Sequence, residues 1–575
     1  MTSKFKTLNK IALLITLSIL YLLLASEAYF VPRSEVKDGC AKLAKNIESP
    51  SYEDVKSCYE GIKYDDKRAK PVIDVVDGIM SNFYIFFDQA KETPENGFSF
   101  EPIDLKKELN LLRHKHYKSD FEFITIIRNL ISQLKDAHTH LDINCYNKFS
   151  FSQSLSLYSI KHNNQQKIKI LEDDSEPSNK GCEVIEINGQ NALKVIKEFA
   201  NKTVVGSRDL GVRFNLALAS LTKLFGEWSN AVDSNQFADR SDLPETPNIA
   251  YKLSCSGKQR SIVRKWSVVS KFISDFNDTK SYFEQNCLPQ EDNPRVSSGE
   301  SFDFRLIGDI GVARIGTLSL QDFQLINIKE SLQSLSNNAK KLVIDLSNNS
   351  GGFVGSANVI CALLLQSNGF FPGDIKITNI TKPTLKPGGL LDISDSLSFP
   401  SGKKFSSIKD FIGNNFIERG GTTSRYSNKF TFQLDKTLVD IIKNKPKLRW
   451  TKNNTIILTN GFCGSACAQV SQCLAEIGQF PTVAVGGLYN SSLSFSSFVG
   501  GEVLSYDNSI KINGIPDFPL AGELQFTAVE AYSTTLKKNK VLDFLYRPAT
   551  HRIHYNDQTA RDPRILWNEA AKFLD

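Results

Sequence analysis

Beyond its N-terminus the sequence has no second long apolar run, no CxxC pair, no zinc-ligand spacing and no internal repeat. These absences argue against a multispan membrane protein, a zinc-stabilised domain and a repeat protein. An excess of one charge is also lacking, because 69 basic and 63 acidic residues give a net charge of only +6. We therefore expect no nucleic-acid partner. The lack of zinc-ligand spacing predicts no metal, and no cofactor is expected. A chain of 575 residues is long enough for about two to four globular domains.

The first residues have the layout of a secretory signal peptide. Lys4, Lys6 and Lys10 precede an uncharged apolar run over residues 11–25, and residues 26–28 offer a small-x-small cleavage site. The run is short for a transmembrane helix, which needs about 20 residues. Residues 1–28 are therefore predicted to be a cleaved signal. An uncleaved signal anchor is the alternative, and it is the only membrane association we expect.

Cysteines and glycosylation sequons agree with export. All ten cysteines follow the predicted signal, and an even number in a secreted chain favours disulfide bonds. We expect a secreted, extracellular glycoprotein with disulfides, or a protein of the secretory-pathway lumen. The usable sequons are Asn201, Asn277, Asn379, Asn453 and Asn490.

Residues 455–473 have the strand–turn–helix pattern typical of a segment that carries a nucleophile. The apolar run at 456–458 predicts a buried strand, Asn460-Gly461 predicts a turn, and helical spacing begins at Ala466. Ser465 thus lies between a strand end and a helix N-terminus, where free backbone N–H groups stabilise developing negative charge. The alternative is that Ser465 is only a helix N-cap.

A second strand runs into a glycine-containing loop. Residues 342–346 predict a buried strand, Gly351-Gly352 follows after a polar stretch, and an apolar helix-like run extends to Leu365. Without side chains, two consecutive glycines let the backbone approach a ligand closely and direct N–H groups at it. The loop is therefore a candidate oxyanion-binding element.

The motif Asp-Leu-x-Asn-Asn-x-Gly-Gly at 345–352, followed by Cys-x-Ser-x-Cys at 463–467, resembles the tail-specific (C-terminal processing) serine peptidase superfamily. Within that superfamily, the sequence resembles the secreted eukaryotic branch and the chlamydial protease-like activity factor more than the bacterial periplasmic enzymes. The Gly-x-Ser-x-Gly elbow of α/β-hydrolases is not matched. The resemblance implies Ser465 as nucleophile, and an oxyanion hole from the amides of Gly351 or Gly352 and of Ala466.

The same resemblance implies the base and the acid. No lysine occurs between Lys452 and Lys511, so the Ser-Lys dyad of the bacterial periplasmic branch is excluded. His138, in Asp-Ala-His-Thr, matches the family's base, although Ala137 replaces the usual glycine. Glu530, which precedes Ala-Tyr, matches the acid, and Glu523 is a nearby competitor.

Other readings of the same residues stay open. His138 and His140, two apart on an extended chain, could share a face as a metal pair, but no zincin spacing accompanies them. Cys463 and Cys467 could form a disulfide or remain thiols, and a thiol at Cys463 could itself be a nucleophile.

The expected fold is α/β, with a crotonase-like (ClpP/crotonase) catalytic domain, a helical N-terminal domain and a PDZ-like domain. The predicted domains are the signal 1–28, helical residues 29–155, PDZ-like residues with a linker 156–300, and catalytic residues 301–575. We expect 230–300 to be polar, poor in strands in places and the linker into the catalytic domain, and 384–430 to be a long loop near the cleft.

The predicted function is a secreted serine endopeptidase that hydrolyses peptide bonds through a Ser-His-Glu triad and an acyl-enzyme intermediate. Its partners are protein or peptide substrates, and a homodimer is one expectation for its assembly. The alternative is a non-catalytic carrier of apolar ligands on the same fold. Retention of Ser465, His138 and a carboxylate together favours the enzyme.

Overall fold

The computed structural model describes residues 38–222, 231–271, 273–289, 302–365, 371–534 and 540–574. The predicted signal peptide at 1–28 lies outside these ranges. Within them, no helix is both long enough and apolar enough to cross a bilayer. The described chain has a mixed α/β fold, as predicted.

The N-terminal part is helical up to the segment that carries His138. Its helices begin at polar residues, such as Ser51 and Ser119, whose side chains accept hydrogen bonds from the first helical turn. Their apolar faces pack into one large core. The predicted amphipathic helix at 121–134 is the fifth of them. The bounds are α1 (Gly39–Lys45), α2 (Tyr52–Gly61), α3 (Asp66–Phe83), α4 (Leu105–Leu112) and α5 (Asp120–Ser132).

The middle of the chain is rich in strands. The strands are β1 (His140–Ile143), β2 (Phe149–Ser152), β3 (Leu155–His162), β4 (Gln165–Asp173), β5 (Glu183–Ile187), β6 (Gln190–Asn191), β7 (Ala219–Thr222), β8 (Ala231–Ser234), β9 (Asp239–Arg240), β10 (Asn248–Cys255), β11 (Lys258–Lys265) and β12 (Ser267–Ser270). The helices are α6 (Ala192–Lys202), α7 (Leu210–Ala217) and α8 (Thr279–Asn286). Strands β11, β10, β5, β4 and β3 lie in that order in one sheet, with β6 beside β5.

The prediction that residues 230–300 are poor in strands is wrong. Strands β10 and β11 form a hairpin that turns at Ser256-Gly257, where both residues have positive φ. The disulfide between Cys182 and Cys255 ties this hairpin to the residue before β5. Most residues of the edge strand β11 are polar or charged, because its positions are exposed or half-buried and none is fully buried. That composition resembles a linker.

The C-terminal half holds the remaining elements. The strands are β13 (Phe302–Ile307), β14 (Ile310–Ile315), β15 (Lys341–Asp345), β16 (Gly373–Asp374), β17 (Lys376–Ile377), β18 (Ser396–Ser398), β19 (Lys403–Lys404), β20 (Asn415–Arg419), β21 (Thr422–Tyr426), β22 (Phe430–Phe432), β23 (Thr455–Thr459), β24 (Thr482–Val485), β25 (Glu502–Asp507), β26 (Gly522–Ala531) and β27 (His551–Ile553). The helices are α9 (Asp322–Asn338), α10 (Val354–Leu365), α11 (Ile408–Ile412), α12 (Lys436–Lys443), α13 (Ala466–Glu476) and α14 (Pro563–Ala571).

One sheet carries the two motifs found in the sequence. Its order is β13-β14-β15-β23-β24-β27, with β13 and β14 antiparallel and every other neighbouring pair parallel. Helices α9, α10 and α13 contribute to the apolar core on one face, and α14 packs on the other through Trp567. Strands β15 and β23 are direct neighbours, so the loops that follow them meet at one edge of the sheet.

A second sheet joins the N-terminal part to the C-terminal half. Strand β26 pairs with β1 over residues 522–525, with β25 along its other side, and with β16 near its end. The segment that carries His138 is thereby attached to the strand that carries Glu530. This pairing spans almost 400 residues of sequence and follows from no local pattern.

The prediction of a long loop at 384–430 is also wrong. Strands β20 and β21 form a hairpin whose turn, Gly420-Gly421, has positive φ at both residues, as a two-residue hairpin turn requires. The serine and glycine content that suggested a loop is that of short strands joined by tight turns. Arg419 is the last residue of β20, directly before this turn.

The structure contains the predicted disulfides. They join Cys40 to Cys58, Cys145 to Cys287, Cys182 to Cys255 and Cys463 to Cys467. Cys361 and Cys473 are buried thiols.

Candidate active site

Two loops that follow parallel strands lie side by side. The carbonyl of Asn349 accepts a hydrogen bond from the amide of Gly464 at 3.0 Å. The side chains of Asn348 and Asn460 are hydrogen-bonded at 2.6 Å, and Asn460 also accepts from the backbone amide of Asn348 at 3.1 Å. The Gly-Gly loop and the serine turn therefore form one rigid unit.

Ser465 has a backbone conformation that serine rarely adopts. Its φ is +53° and its ψ is −131°, immediately before the first residue of α13. Although it occupies the N-cap position, its side chain makes no capping hydrogen bond, so the interpretation of Ser465 as a simple N-cap is wrong. The amide of Ser465 donates to the carbonyl of Phe498 at 2.5 Å. Strain of this kind concentrates at functional sites.

A disulfide spans the serine turn. Cys463 and Cys467 are bonded, with their Cα atoms 5.1 Å apart. The alternative in which Cys463 acts as a free nucleophilic thiol is therefore wrong. The covalent bond closes a loop around Ser465 and limits the freedom of the turn.

The Gly-Gly loop lies against the serine. A Cβ atom on Gly351 would come within 2.5 Å of the Ser465 Cβ and 3.0 Å of the Ala466 nitrogen. A Cβ on Gly352 would lie 2.1 Å from the carbonyl carbon of Leu318. Both positions have positive φ, +112° and +145°. Only glycine fits this approach.

Two amides near Ser465 remain available. Gly351 donates its amide to the Asn349 side chain at 2.8 Å. By contrast, the amides of Gly352 and Ala466 donate to no acceptor among the described residues. Of the amides predicted for the oxyanion hole, these two are therefore free to bind an oxyanion.

His138 lies in a turn that Asp136 builds. One carboxylate oxygen of Asp136 accepts from the His138 amide at 3.0 Å, and the other accepts from the hydroxyls of Thr139 and Thr527 at 2.9 and 2.7 Å. This arrangement fixes the backbone even though Ala137 replaces the glycine of the family motif.

The imidazole of His138 is buried and neutral. Burial lowers the pKa of His138 to about 4, against the opposing effect of Asp136. A neutral imidazole at neutral pH can accept a proton from a serine hydroxyl. The Nδ1 atom of His138 is buried and has no hydrogen-bond partner within the described part of the chain.

Residues 498–500 connect the serine and the histidine. The ring of Phe498 lies edge-on to the imidazole of His138, with centroids 4.7 Å apart, while its carbonyl accepts from Ser465. A Cβ on Gly500 would lie 2.8 Å from the His138 Nδ1. From α13, Gln469 donates to the carbonyl of Gly500 at 2.9 Å. Ser465 and His138 thus contact the same short segment.

The buried carboxylate of Asp543 holds that segment in place. It accepts from the amides of Val499 at 3.0 Å and Gly500 at 3.2 Å. Burial raises the pKa of Asp543 to about 6, and nearby Arg208 opposes this effect. Sequence reasoning missed Asp543, because no local pattern links it to a loop more than 40 residues away.

Glu530 is fully buried in β26 and pairs with Arg419. The two guanidinium nitrogens of Arg419 donate to the two carboxylate oxygens at 2.8 and 2.6 Å, and the hydroxyl of Tyr532 donates at 2.5 Å. No hydrogen bond joins Glu530 to His138 among the described residues. Its competitor Glu523 lies on a half-exposed face, opposite Asp142 in the neighbouring strand. The choice of triad acid stays a prediction.

Residues 314–483 match the model of Peptidase family S41. This segment includes the Gly-Gly loop and the Cys-x-Ser-x-Cys turn. The chain carries a domain of peptidase family S41. The predicted membership of the tail-specific peptidase superfamily and the predicted enzyme class, a serine-type peptidase, are confirmed. His138 and Glu530 lie outside the matched S41 segment.

The whole fold is similar to that of solved structures. Mature CPAF complexed with lactacystin aligns with a TM-score of 0.56 at 13% identity, over 88% of this chain and 98% of that chain. A structure of mature CPAF aligns with a TM-score of 0.53 at 13% identity, over 89% and 96%. At these identities the likeness concerns the fold alone. No curated protein matches the sequence.

Proposed function

We propose that the protein is a secreted serine endopeptidase that cleaves peptide bonds through an acyl-enzyme on Ser465. The observation that carries the proposal is the strained Ser465 at the start of α13, with the free amides of Gly352 and Ala466 beside it. A hydroxyl with no capping role, next to unpaired N–H donors, suits nucleophilic attack and the binding of the resulting oxyanion.

In the proposed reaction His138 acts as general base. It removes the proton from the Ser465 hydroxyl as Oγ attacks the scissile carbonyl, and it returns the proton to the leaving amine. Gly352 and Ala466 donate hydrogen bonds to the oxyanion, while Gly351 keeps the loop against the serine. Water then hydrolyses the acyl-enzyme by the same steps. The lowered pKa of His138 keeps the imidazole in its accepting form at neutral pH.

We assign Glu530 as the triad acid. Its paired arginine keeps a buried negative charge on the strand that adjoins the His138 segment. In the free enzyme this charge is bound by Arg419 and Tyr532, so a contact with His138 would have to form with bound substrate. Catalytic hydrogen bonds are often completed only in the substrate complex.

We further propose that the chain contains a crotonase-like catalytic domain and a PDZ-like domain, and that it is secreted. The parallel sheet with Ser465 at a helix start supports a crotonase-like catalytic domain, and the β5–β6 hairpin followed by α6 supports a PDZ-like domain. The four disulfides support passage through an oxidising compartment. Protein or peptide substrates follow from the peptidase class.

The alternative of an apolar ligand carrier receives less support. The cavity beside Phe498 has apolar walls at Phe98, Leu542 and Leu545, but three charged side chains, Arg208, Asp543 and Arg547, and several serines also line it. Such a polar lining does not suit a purely apolar ligand.

The test is hydrolysis of an unstructured protein by the purified secreted chain and by Ser465→Ala. Ser491→Ala, at an exposed serine, is the matched control. We expect cleavage by the wild type and the control, and none by Ser465→Ala. Equal cleavage by all three proteins would contradict the proposal, as would its complete absence from the wild type.

A further inference from the structure

The strand that follows the catalytic histidine segment presents metal-ligating side chains on one face. His140 and Asp142 alternate with buried residues along β1, so they point to the same half-exposed side. In the antiparallel pairing with β26, Asp142 lies directly opposite Glu523 and His140 directly opposite Gln525. The ligand atoms of His140, Asp142 and Glu523 all lie within 4.8 Å of one another.

The charges of this face are unbalanced. Asp507 on β25 lies opposite Glu523 on its other side, so three carboxylates stand in a row across three strands. Among the described residues, no lysine or arginine forms an ion pair with these carboxylates, and the Asp507 carboxylate accepts only from the amide and hydroxyl of Ser509, at 2.8 and 2.6 Å. Like charges directly opposite each other destabilise a strand pair. A bound cation would remove this repulsion.

The donor set selects the kind of cation. One imidazole nitrogen with two carboxylate oxygens suits Zn²⁺ and similar divalent transition metals, whereas Ca²⁺ and Mg²⁺ prefer oxygen ligands alone. With metal–ligand bonds of about 2.0–2.2 Å, a tetrahedral ion brings its ligand atoms to about 3.3 Å from one another. Half-exposed side chains on two neighbouring strands can close that gap by changing rotamers, and the fourth position would be left to water.

We propose that His140, Asp142 and Glu523 bind one divalent transition metal ion of the Zn²⁺ class. Such an ion would link β1 to β26. Gln525, the neighbour of this site on β26, donates its side-chain amide to the carbonyl of His138 at 3.3 Å. The metal would therefore stabilise the junction between the His138 segment and the catalytic half of the chain. The site is distinct from the His138–His140 pair considered from the sequence, because its other two ligands are carboxylates.

The test is Zn²⁺ titration of the full secreted chain after removal of metals with a chelator. Isothermal calorimetry measures affinity and stoichiometry, and thermal unfolding measures stabilisation. The Ser465→Ala background serves equally well, because the readout is binding rather than hydrolysis. We expect one Zn²⁺ per chain and a higher unfolding temperature with the metal.

The variants are His140→Ala and Glu523→Gln, with His162→Ala as the control at an exposed histidine. Each ligand variant should weaken Zn²⁺ binding at least tenfold and lose the thermal shift, and the control should keep both. If His140→Ala folds poorly, Glu523→Gln still tests the site, because it removes the carboxylate and preserves the shape of the side chain. Equal Zn²⁺ affinity in the wild type and both ligand variants would overturn the proposal. Tighter binding of Ca²⁺ than of Zn²⁺ would overturn the assigned class of metal.

Discussion

The imidazole of His138 lies edge-on to the ring of Phe498, with the two centroids 4.7 Å apart. Phe498 also accepts the Ser465 amide through its carbonyl, and its ring fills the space beside Gly464, where a Cβ would approach it to 2.2 Å. One aromatic residue therefore sets the position of both the proposed nucleophile and the proposed base.

We predict that Phe498→Leu lowers turnover about 10–100-fold, because a smaller side chain frees the imidazole from its edge-on contact. Misplaced catalytic groups of this kind cost up to about 10² in rate. The measurement is kcat and KM on one peptide substrate, beside thermal unfolding. Phe323→Leu, at an exposed phenylalanine of α9, is the control for size. A Phe498→Leu enzyme with unchanged kcat would show that the ring does not position His138.

The disulfide around Ser465 should matter for rate more than for folding. Replacing Cys463 and Cys467 together by serine opens the turn, so we expect a lower kcat. Closing so short a loop contributes only about 2 kcal/mol to stability. Replacing Cys182 and Cys255 by serine, which removes a disulfide in a different sheet, should lower the unfolding temperature and leave kcat near wild type. If both pairs of substitutions affect kcat equally, the turn is not specially dependent on its disulfide.

The pH dependence of kcat should reflect the protonation of Asp543. Burial raises its pKa to about 6, and Arg208 and Asp136 are the charged groups that act on it. Protonation below that pH weakens acceptance from the Val499 and Gly500 amides, so kcat should fall as the pH drops below about 6. Burial lowers the pKa of His138 to about 4. His138 therefore becomes protonated only at a pH well below the decline that we assign to Asp543.

Asp543→Asn tests this assignment. An amide cannot accept both backbone hydrogen bonds, so we expect turnover about tenfold lower and a flat profile between pH 5 and 7. Asp517→Asn, at an exposed aspartate, should keep the wild-type profile. An unaltered decline near pH 6 in Asp543→Asn would assign that decline to another group.

Glu530 is tested together with its arginine. Glu530→Gln should lower turnover about 10²–10⁴-fold if the carboxylate stabilises the imidazolium. It also removes the bidentate partner of the buried Arg419, which costs about 3–5 kcal/mol of stability. The double variant Glu530→Gln with Arg419→Met should recover stability without recovering turnover.

Recovery of turnover in the double variant would mean that Glu530 serves the fold alone. Glu418→Gln, at an exposed neighbour of Arg419, is the matched control. The rival assignment of Glu523 as triad acid predicts the opposite ranking, with Glu523→Gln inactive and Glu530→Gln active.

Local patterns in the sequence predicted the elements around Ser465 well. Apolar runs at 342–346 and 456–458 became β15 and β23, and the helix predicted from Ala466 is α13. In each case the buried strand is followed by asparagine and glycine residues, which are typical of a turn. Residues adjacent in sequence were therefore enough to predict where each strand ends.

Contacts between distant segments could not be predicted in this way. Arg419 reaches Glu530 only because the β20–β21 hairpin folds within a region whose composition suggests a loop. Asp543 accepts from the amide of Val499, 44 residues earlier in the sequence, and Asp142 lies opposite Glu523 because the distant strands β1 and β26 pair. Such contacts depend on tertiary register, for which a single sequence gives no periodic signal.

Covalent labelling is the direct measurement of whether Ser465 is an activated nucleophile. The purified protein is treated with a fluorophosphonate, and the modified residue is mapped by mass spectrometry of proteolytic peptides. We expect a single phosphonate on Ser465, slower labelling in His138→Ala and no labelling in Ser465→Ala. Labelling that persists in Ser465→Ala, or a wild-type enzyme that remains unmodified, would contradict the assignment of Ser465 as the nucleophile.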